Sequence, residues 1–196
     1  MREIMRERGI TTRAMALRSD SINEQERSFE AVATTEQRAL VIDWERYEII
    51  EEILVARGGS FPEHTPLLEN HQRYSTLDVI GSALDYRLSV DKWLVRGIVA
   101  VPVGDNDPVE RVWQRVKDRH VRAVSIGYIV DEKTDIPPGK RMSVDGKTYQ
   151  AGERLLRIST RWHGHELSLT PIGADSMALI RSQTGHARPQ KRSYFR

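Results

Sequence analysis

Apolar and polar positions alternate along most of this chain, and the alternation predicts a mostly β protein. The clearest case covers residues 121–130, where the apolar side chains on one face of a strand are Val124, Ile126, Tyr128 and Val130. Other runs rich in β-branched or apolar residues predict strands at residues 28–34, 47–55 and 155–170. Two hairpins are predicted, one across residues 79–103 and one at the Asp145-Gly146 turn.

One helix is predicted between the first hairpin and the strand at residues 121–130. Asp107 can cap it, Pro108 suits its first turn, and Glu110 complements the positive end of the helix dipole. Apolar residues then recur at helical spacing, at Val109, Val112, Trp113 and Val116. The expected fold class is therefore mostly β (α+β), a closed antiparallel β-barrel-like sheet with a few peripheral helices.

The chain of 196 residues suits one domain with terminal extensions. Residues 1–26 are charged and weakly patterned, which predicts a partly flexible N-terminal extension with a short helix and a loose linker. Residues 27–181 form the predicted folded domain. Residues 182–196 carry only basic charges and predict a solvated C-terminal tail, with contact to an acidic partner or to nucleic acid as the alternative.

Composition narrows the function classes. The chain has no cysteine, which excludes disulfides and a cysteine nucleophile. Its net charge of +2 is too small to argue for nucleic-acid binding, and it has no glycine-rich phosphate loop. No apolar run approaches the roughly 18 residues of a membrane span, and no signal peptide is recognisable. We therefore expect a cytoplasmic protein with no cofactor, no membrane partner and no sequence-specific nucleic-acid partner.

Ser125 is the first candidate for chemistry. It faces away from the apolar side of its strand, and Ala123 and Gly127 leave little side-chain bulk beside it. A small hydroxyl on a firm strand suits a nucleophile that a peptide must approach closely. The alternative is an ordinary serine on the polar face of a strand.

Three further groups could act with this serine. His71 follows an apolar pair at a predicted strand end and suits a general base, or is a half-exposed loop histidine. Glu166 lies on the polar face of the last strand and suits the carboxylate that orients an imidazole. His163 and His165 form an H-x-H pair beside it, so either could replace Glu166 or help to bind a metal.

Five segments of the chain form an ordered set: Phe29-Glu30-Ala31, Leu67-Leu68-Glu69-Asn70-His71, Ile80-Gly81, Ala123-Val124-Ser125-Ile126-Gly127-Tyr128 and Glu166-Leu167-Ser168-Leu169. In order and spacing, these segments resemble the prohead (capsid maturation) serine proteases of tailed phages, a family similar in fold to the herpesvirus maturational protease, assemblin. The resemblance runs from about residue 28 to residue 181.

The resemblance implies a serine endopeptidase with Ser125 as nucleophile, His71 as general base and Glu166 as third member. The herpesvirus relatives use a histidine in the third position, so His165 and His163 stay open there. The implied partners are the major capsid protein with its scaffold region, the protease itself and a second copy in a homodimer. The implied location is the immature prohead in the host cytoplasm. The resemblance leaves the oxyanion hole unassigned; backbone N–H groups near Ser125 are candidates, as are waters held by Arg122, Arg157 or Arg161.

Two other interpretations stay open. One is a non-enzymatic β domain that associates with the capsid or scaffold and keeps the fold without the activity. The other is a metal-dependent hydrolase built on His163, His165 and Glu166.

Overall fold

The computed structural model describes residues 11–104 and 107–171, which form twelve strands and one α-helix. The strands are β1 (Thr11–Asn23), β2 (Ser28–Thr35), β3 (Ala39–Asp43), β4 (Glu48–Leu54), β5 (Gly59–Ser60), β6 (Thr65–Glu69), β7 (Val79–Ser89), β8 (Lys92–Val99), β9 (Ala123–Ile136), β10 (Arg141–Val144), β11 (Lys147–Gln150) and β12 (Leu156–Thr170). The helix α1 (Pro108–Lys117) precedes β9, and short 3-10 helices cover Ala56–Gly58 and Thr76–Asp78. The prediction of a mostly β protein with few helices is confirmed.

Ten strands form one sheet in the order β3-β4-β12-β6-β7-β8-β2-β1-β9, with β5 also on β12. β12 pairs with β4, β5 and β6 in parallel and with β9 in antiparallel orientation. The expectation of a purely antiparallel sheet is therefore wrong. Because β12 runs in the same direction as three of its neighbours and in the opposite direction to β9, the sheet is mixed.

The predicted helix and both hairpins are confirmed. Asp107 Oδ1 accepts a hydrogen bond from the Val109 N–H at 3.0 Å, so the helix begins where its cap predicts. β7 and β8 pair antiparallel, as do β10 and β11. In the second hairpin the turn residues Asp145 and Gly146 have φ of 50° and 77°, the left-handed pair that tight hairpin turns require.

The N-terminal prediction fails within the described residues. Thr11–Asn23 forms β1 and pairs with both β2 and β9, so this part of the predicted extension belongs to the sheet and is not a short helix. Charged residues obscured the strand pattern of β1; β2 follows it directly in the chain, whereas its other partner, β9, lies far along the sequence. The predicted tail at residues 182–196 lies outside the described residues, as do residues 1–10.

The main core lies behind β9. Val124, Ile126 and Tyr128 are fully buried there, packed with Trp113 of α1 and Trp162 of β12. A smaller core, under the β10–β11 hairpin, covers the other ends of the same two strands. The predicted apolar face of β9 is correct, and it fixes Ser125 and Gly127 on the opposite face. None of the helices in the described part of the chain is long and apolar enough to span a membrane.

Candidate active site

Ser125 lies in the middle of β9, opposite Ala14 of β1 on one side and Ser168 of β12 on the other. The sequence predicts a hydroxyl that is easily approached, but the residue is only 2% exposed. Strands pair with β9 on both sides here, and the ring of His71 lies over the hydroxyl. The prediction of the face is right and that of the exposure is wrong.

His71 is held in place by an unusual backbone. Asn70 and His71 follow β6 with φ of 50° and 60°, in the left-handed region that non-glycine residues seldom adopt. Two hydrogen bonds to β12 support this turn: the Asn70 N–H donates to the Leu169 carbonyl at 2.9 Å, and the His71 N–H donates to Ser168 Oγ at 3.1 Å. Strain of this kind persists where surrounding contacts enforce it, and it is common at functional sites.

Glu166 lies on β12 directly opposite Gly127, and its carboxylate is 1% exposed. Oε1 lies 2.5 Å from His71 Nδ1, and Oε2 accepts a hydrogen bond from Ser168 Oγ at 2.6 Å. Both carboxylate oxygens therefore have a partner, as a buried charge requires.

Nearby, burial and the negative charge of Glu166 raise the pKa of Tyr86 above its ordinary value, although its hydrogen bond to Thr65 opposes the shift.

The three predicted residues meet through the imidazole. His71 Nε2 lies 2.9 Å from Ser125 Oγ, within the hydrogen-bond range expected of a nucleophile and its base. With the Nδ1–H donated to Glu166, Nε2 presents a lone pair to the serine hydroxyl. Such an arrangement can remove the proton of the hydroxyl and return it to a leaving group.

A β-bulge decides which residue of β12 reaches His71. Gly164 lies opposite Tyr128 and Glu166 lies opposite Gly127, so His165 is an extra residue without an opposite partner. The bulge interrupts the H-x-H pair that the sequence predicts on one face. His165 is exposed, and His163 Nδ1 lies 3.1 Å from Asp131 Oδ2 instead. In this geometry Glu166 is the residue that contacts His71.

Gly127 provides the room for that carboxylate. A Cβ built on Gly127 lies 2.4 Å from Glu166 Oε1 and 3.0 Å from its Cδ, which is closer than real contacts allow. Any other residue there displaces the carboxylate that holds His71. The glycine of the Ser125-Ile126-Gly127 segment is therefore a steric requirement of the site.

The three arginines suggested for an oxyanion hole have other partners. Arg157 is buried between Asp43 and Asp135, at 2.7 and 2.9 Å. Arg161 pairs with Glu132 at 2.8 Å, and the Arg122 Nε donates to the Arg119 carbonyl at 2.6 Å. Arg157 also precedes Glu166 by nine residues on β12, a separation of about 30 Å along a strand.

Arg157 changes the pKa values of the two carboxyl groups that it contacts, Asp43 and Asp135. Burial opposes ionisation of Asp43 and Asp135, but hydrogen bonds and charge from Arg157 outweigh it and lower the pKa of both carboxyls. These groups lie near the start of β12, at the opposite end of that strand from Ser168, the residue that faces Ser125 across the pairing.

A second buried carboxylate lies on the core side of the sheet. Glu52 of β4 accepts hydrogen bonds from Ser159 Oγ, at 2.7 Å, and from the Tyr128 hydroxyl. Burial, followed by the charge of Glu52, raises the pKa of Tyr128 well above its ordinary value. No group of three or more His, Asp or Glu side chains in residues 11–104 and 107–171 is arranged to hold a metal ion.

Sequence reasoning missed Ser168, the second partner of Glu166. Its spacing from Glu166 places it on the same strand face, which was a usable signal.

No family model, curated protein or solved structure matches this chain.

Proposed function

We propose that this protein is a serine endopeptidase that cleaves the scaffold region of a tailed-phage major capsid protein during prohead maturation. The observation that carries the proposal is the contact of one imidazole with both Ser125 Oγ, at 2.9 Å, and Glu166 Oε1, at 2.5 Å. The five-segment resemblance supplies the substrate class, and it makes the protease itself a second substrate.

The proposed reaction is acyl transfer. His71 Nε2 takes the Ser125 proton as Oγ attacks the peptide carbonyl carbon, and Glu166 stabilises the imidazolium that forms. The C–N bond breaks as His71 gives its proton to the leaving amine. Water then loses a proton to His71 and attacks the ester, and the proton returns to Ser125 as the acid product leaves. Ser168 and Gly127 act as positioning residues, because they hold and accommodate the carboxylate.

The finer architecture belongs to the same proposal. We infer a closed, assemblin-like barrel, and the pairing of β9 with β12 in addition to β1 supports the closure. A homodimer and a location inside the immature prohead, in the host cytoplasm, follow from the resemblance alone.

Co-expression with a capsid precursor that carries its scaffold region tests the function. We expect the full chain to shorten the precursor, and Ser125→Ala and His71→Ala to leave it intact. Ser143→Ala is the matched control, since that serine is exposed on β10, in the separate β10–β11 hairpin. An intact precursor with the wild-type chain favours the non-enzymatic β domain, and cleavage that survives Ser125→Ala but stops with a chelator favours the metal-dependent hydrolase.

A further inference from the structure

A cleft of about 390 Å³ lies against the outer side of Glu166, and the proposed reaction does not use it. Pro66 and Leu68 of β6 and Val79 of β7 give it apolar walls. The loop after His71 contributes polar groups, above all Arg73. The cleft is thus apolar along its walls and carries a cation at one side, next to the candidate active site.

Arg73 forms no ion pair with any acidic side chain in residues 11–104 and 107–171. Its Nη1 atom is buried and makes no hydrogen bond to any of the described residues. Glu166 lines the same cleft, but His71 and Ser168 already occupy its two oxygens. Arg73 nevertheless lines the cleft, so a carboxylate that enters it meets a guanidinium that no acidic side chain of the described residues neutralises.

The loop that carries Arg73 is ordered before any ligand binds. The Tyr74 and Ser75 N–H groups donate to Asp78 Oδ2 at 2.7 and 2.8 Å. Ser75 Oγ in turn accepts from the Leu77 N–H at 3.1 Å, which caps the short helix Thr76–Asp78. Little loop ordering is then required on binding, and the planar guanidinium fits a carboxylate with two hydrogen bonds.

The register of the sheet gives the distance to the nucleophile. Ser125 lies opposite Ser168, and Ser168 lies opposite Leu68, on three neighbouring strands. Strands are about 4.8 Å apart, so the cleft wall lies roughly 10 Å from Ser125. An extended peptide advances about 3.3 Å per residue, so a side chain about three residues from the scissile bond reaches the cleft.

We propose that this cleft is a substrate subsite for an acidic side chain, Glu or Asp, about three residues from the scissile bond, with Arg73 as its recognition residue. The methylene groups of such a side chain contact Pro66, Leu68 and Val79, and its carboxylate pairs with the guanidinium. The inference deepens the proposed function and rests on it for the identity of the ligand as a substrate.

A peptide-binding measurement tests the subsite without requiring catalysis. The probes are fluorescent ten-residue Gly/Ala peptides that carry one Glu, or one Gln at the same position, moved along the peptide. Binding is measured by anisotropy to the full chain carrying Ser125→Ala. We expect the best Glu peptide to bind about 10–100-fold more tightly than its Gln counterpart, the usual effect of one charge-assisted hydrogen-bonded pair.

Variants of Arg73 assign that preference to the cleft. Arg73→Gln in the Ser125→Ala chain is expected to abolish it, and Arg73→Lys to retain part of it. Arg57→Gln, at an exposed arginine of the short helix Ala56–Gly58, is the matched control and keeps it in full. Equal binding of Glu and Gln peptides by the Ser125→Ala chain overturns the inference, as does a preference that survives Arg73→Gln in a chain that still melts cooperatively.

The same peptides, incubated with the chain that retains Ser125, separate this inference from the proposed function. Cleavage about three residues from the Glu supports both. An Arg73-dependent preference in binding without cleavage of any peptide or capsid precursor overturns the protease and leaves the acidic-peptide site standing. Cleavage of the peptides without a preference for Glu overturns the acidic subsite and leaves the protease standing.

Discussion

Two buried carboxylates, Glu166 and Glu52, have nearly the same surroundings but differ in the chemistry that their hydrogen-bond partners allow. Each is 1% exposed, and each accepts a hydrogen bond from a serine of β12, Ser168 at 2.6 Å or Ser159 at 2.7 Å. The other hydrogen-bond partner of each carboxylate differs. Glu52 contacts the hydroxyl of Tyr128, whereas Glu166 contacts the imidazole of His71.

This one partner, a tyrosine or a histidine, decides whether the hydrogen-bonded cluster can transfer a proton or only stabilises the fold. Burial raises the pKa of Tyr128, so its hydroxyl stays protonated at neutral pH and only donates to Glu52. The imidazole has a second nitrogen, and that nitrogen reaches Ser125 at 2.9 Å. Glu166 is thereby connected to the candidate nucleophile, and it borders a cleft. A buried, fully hydrogen-bonded carboxylate is evidence of function only when its partner can pass a proton onward.

The largest difference is expected when each carboxylate is replaced by its amide. Glu166→Gln should lower the cleavage rate by up to about 10⁴-fold, because the neutral amide neither fixes the imidazole tautomer nor stabilises the imidazolium. Glu52→Gln should reduce stability while leaving the rate of the folded fraction within a few-fold of wild type. Single-turnover cleavage of the capsid precursor and thermal unfolding measure the two effects. Equal rate losses in both variants contradict the comparison.

The two serines of β12 give a finer version of the same test. Ser168→Ala removes a donor from Glu166 and an acceptor from the His71 N–H. Leaving such groups unpaired costs about 1–3 kcal/mol, which corresponds to roughly 10–100-fold in rate if it falls on the transition state. Ser159→Ala loses a similar buried bond at Glu52, so we expect a comparable loss of stability without the loss of rate. A slower Ser159→Ala enzyme argues against separate roles.

Two glycines test the steric claim. Gly127→Ala forces a Cβ to within 2.4 Å of Glu166 Oε1, and overpacking of this kind costs about 1–3 kcal/mol. We expect slower cleavage together with a lower melting temperature. At Gly152 the nearest atom to an added Cβ is Glu51 Oε2, at 4.0 Å, so Gly152→Ala should change neither property appreciably. An unchanged rate in Gly127→Ala removes the positioning role of this glycine.

The smallest effect concerns acid stability at the far end of β12. Folding lowers the pKa of Asp43, so its ionised form stabilises the folded state above the unfolded pKa. That contribution disappears as pH falls through the lowered folded pKa, below about pH 4. Urea unfolding at pH 7 and at pH 3 should show a smaller pH dependence in Asp43→Asn than in wild type. An equal dependence in both proteins contradicts this assignment.

The sequence carries the parts of this picture that follow from local patterning. The apolar period of β9, the cap at Asp107 and the Asp145-Gly146 turn each concern neighbouring residues, and each prediction is confirmed. The sheet order depends on pairings between distant segments, and the charged sequence of β1 gives no sign of its two partners. Local patterning therefore predicts the elements better than their arrangement.

The candidate site divides in the same way. The alternation of β9 and β12 predicts Ser125 and Glu166 on the polar faces of their strands, but their proposed roles come from the resemblance to a family, not from the alternation. The β-bulge at His165 and the left-handed backbone at His71 come from tertiary contacts. Without that bulge, His165 would lie opposite Gly127, and the sequence pattern of the H-x-H pair gives no sign of the bulge. The unpartnered guanidinium of Arg73 likewise becomes visible only when the cleft is formed.

Covalent labelling of the nucleophile tests the central claim most directly. The full chain is treated with a fluorophosphonate, which reacts with serines activated by a neighbouring base. Peptide mass spectrometry of the wild-type protein should find one modified residue, Ser125, and labelling should be lost in His71→Ala and strongly slowed in Glu166→Gln but kept in Glu52→Gln. Absence of labelling at Ser125 in the folded wild-type chain, or labelling that survives His71→Ala, would contradict the account.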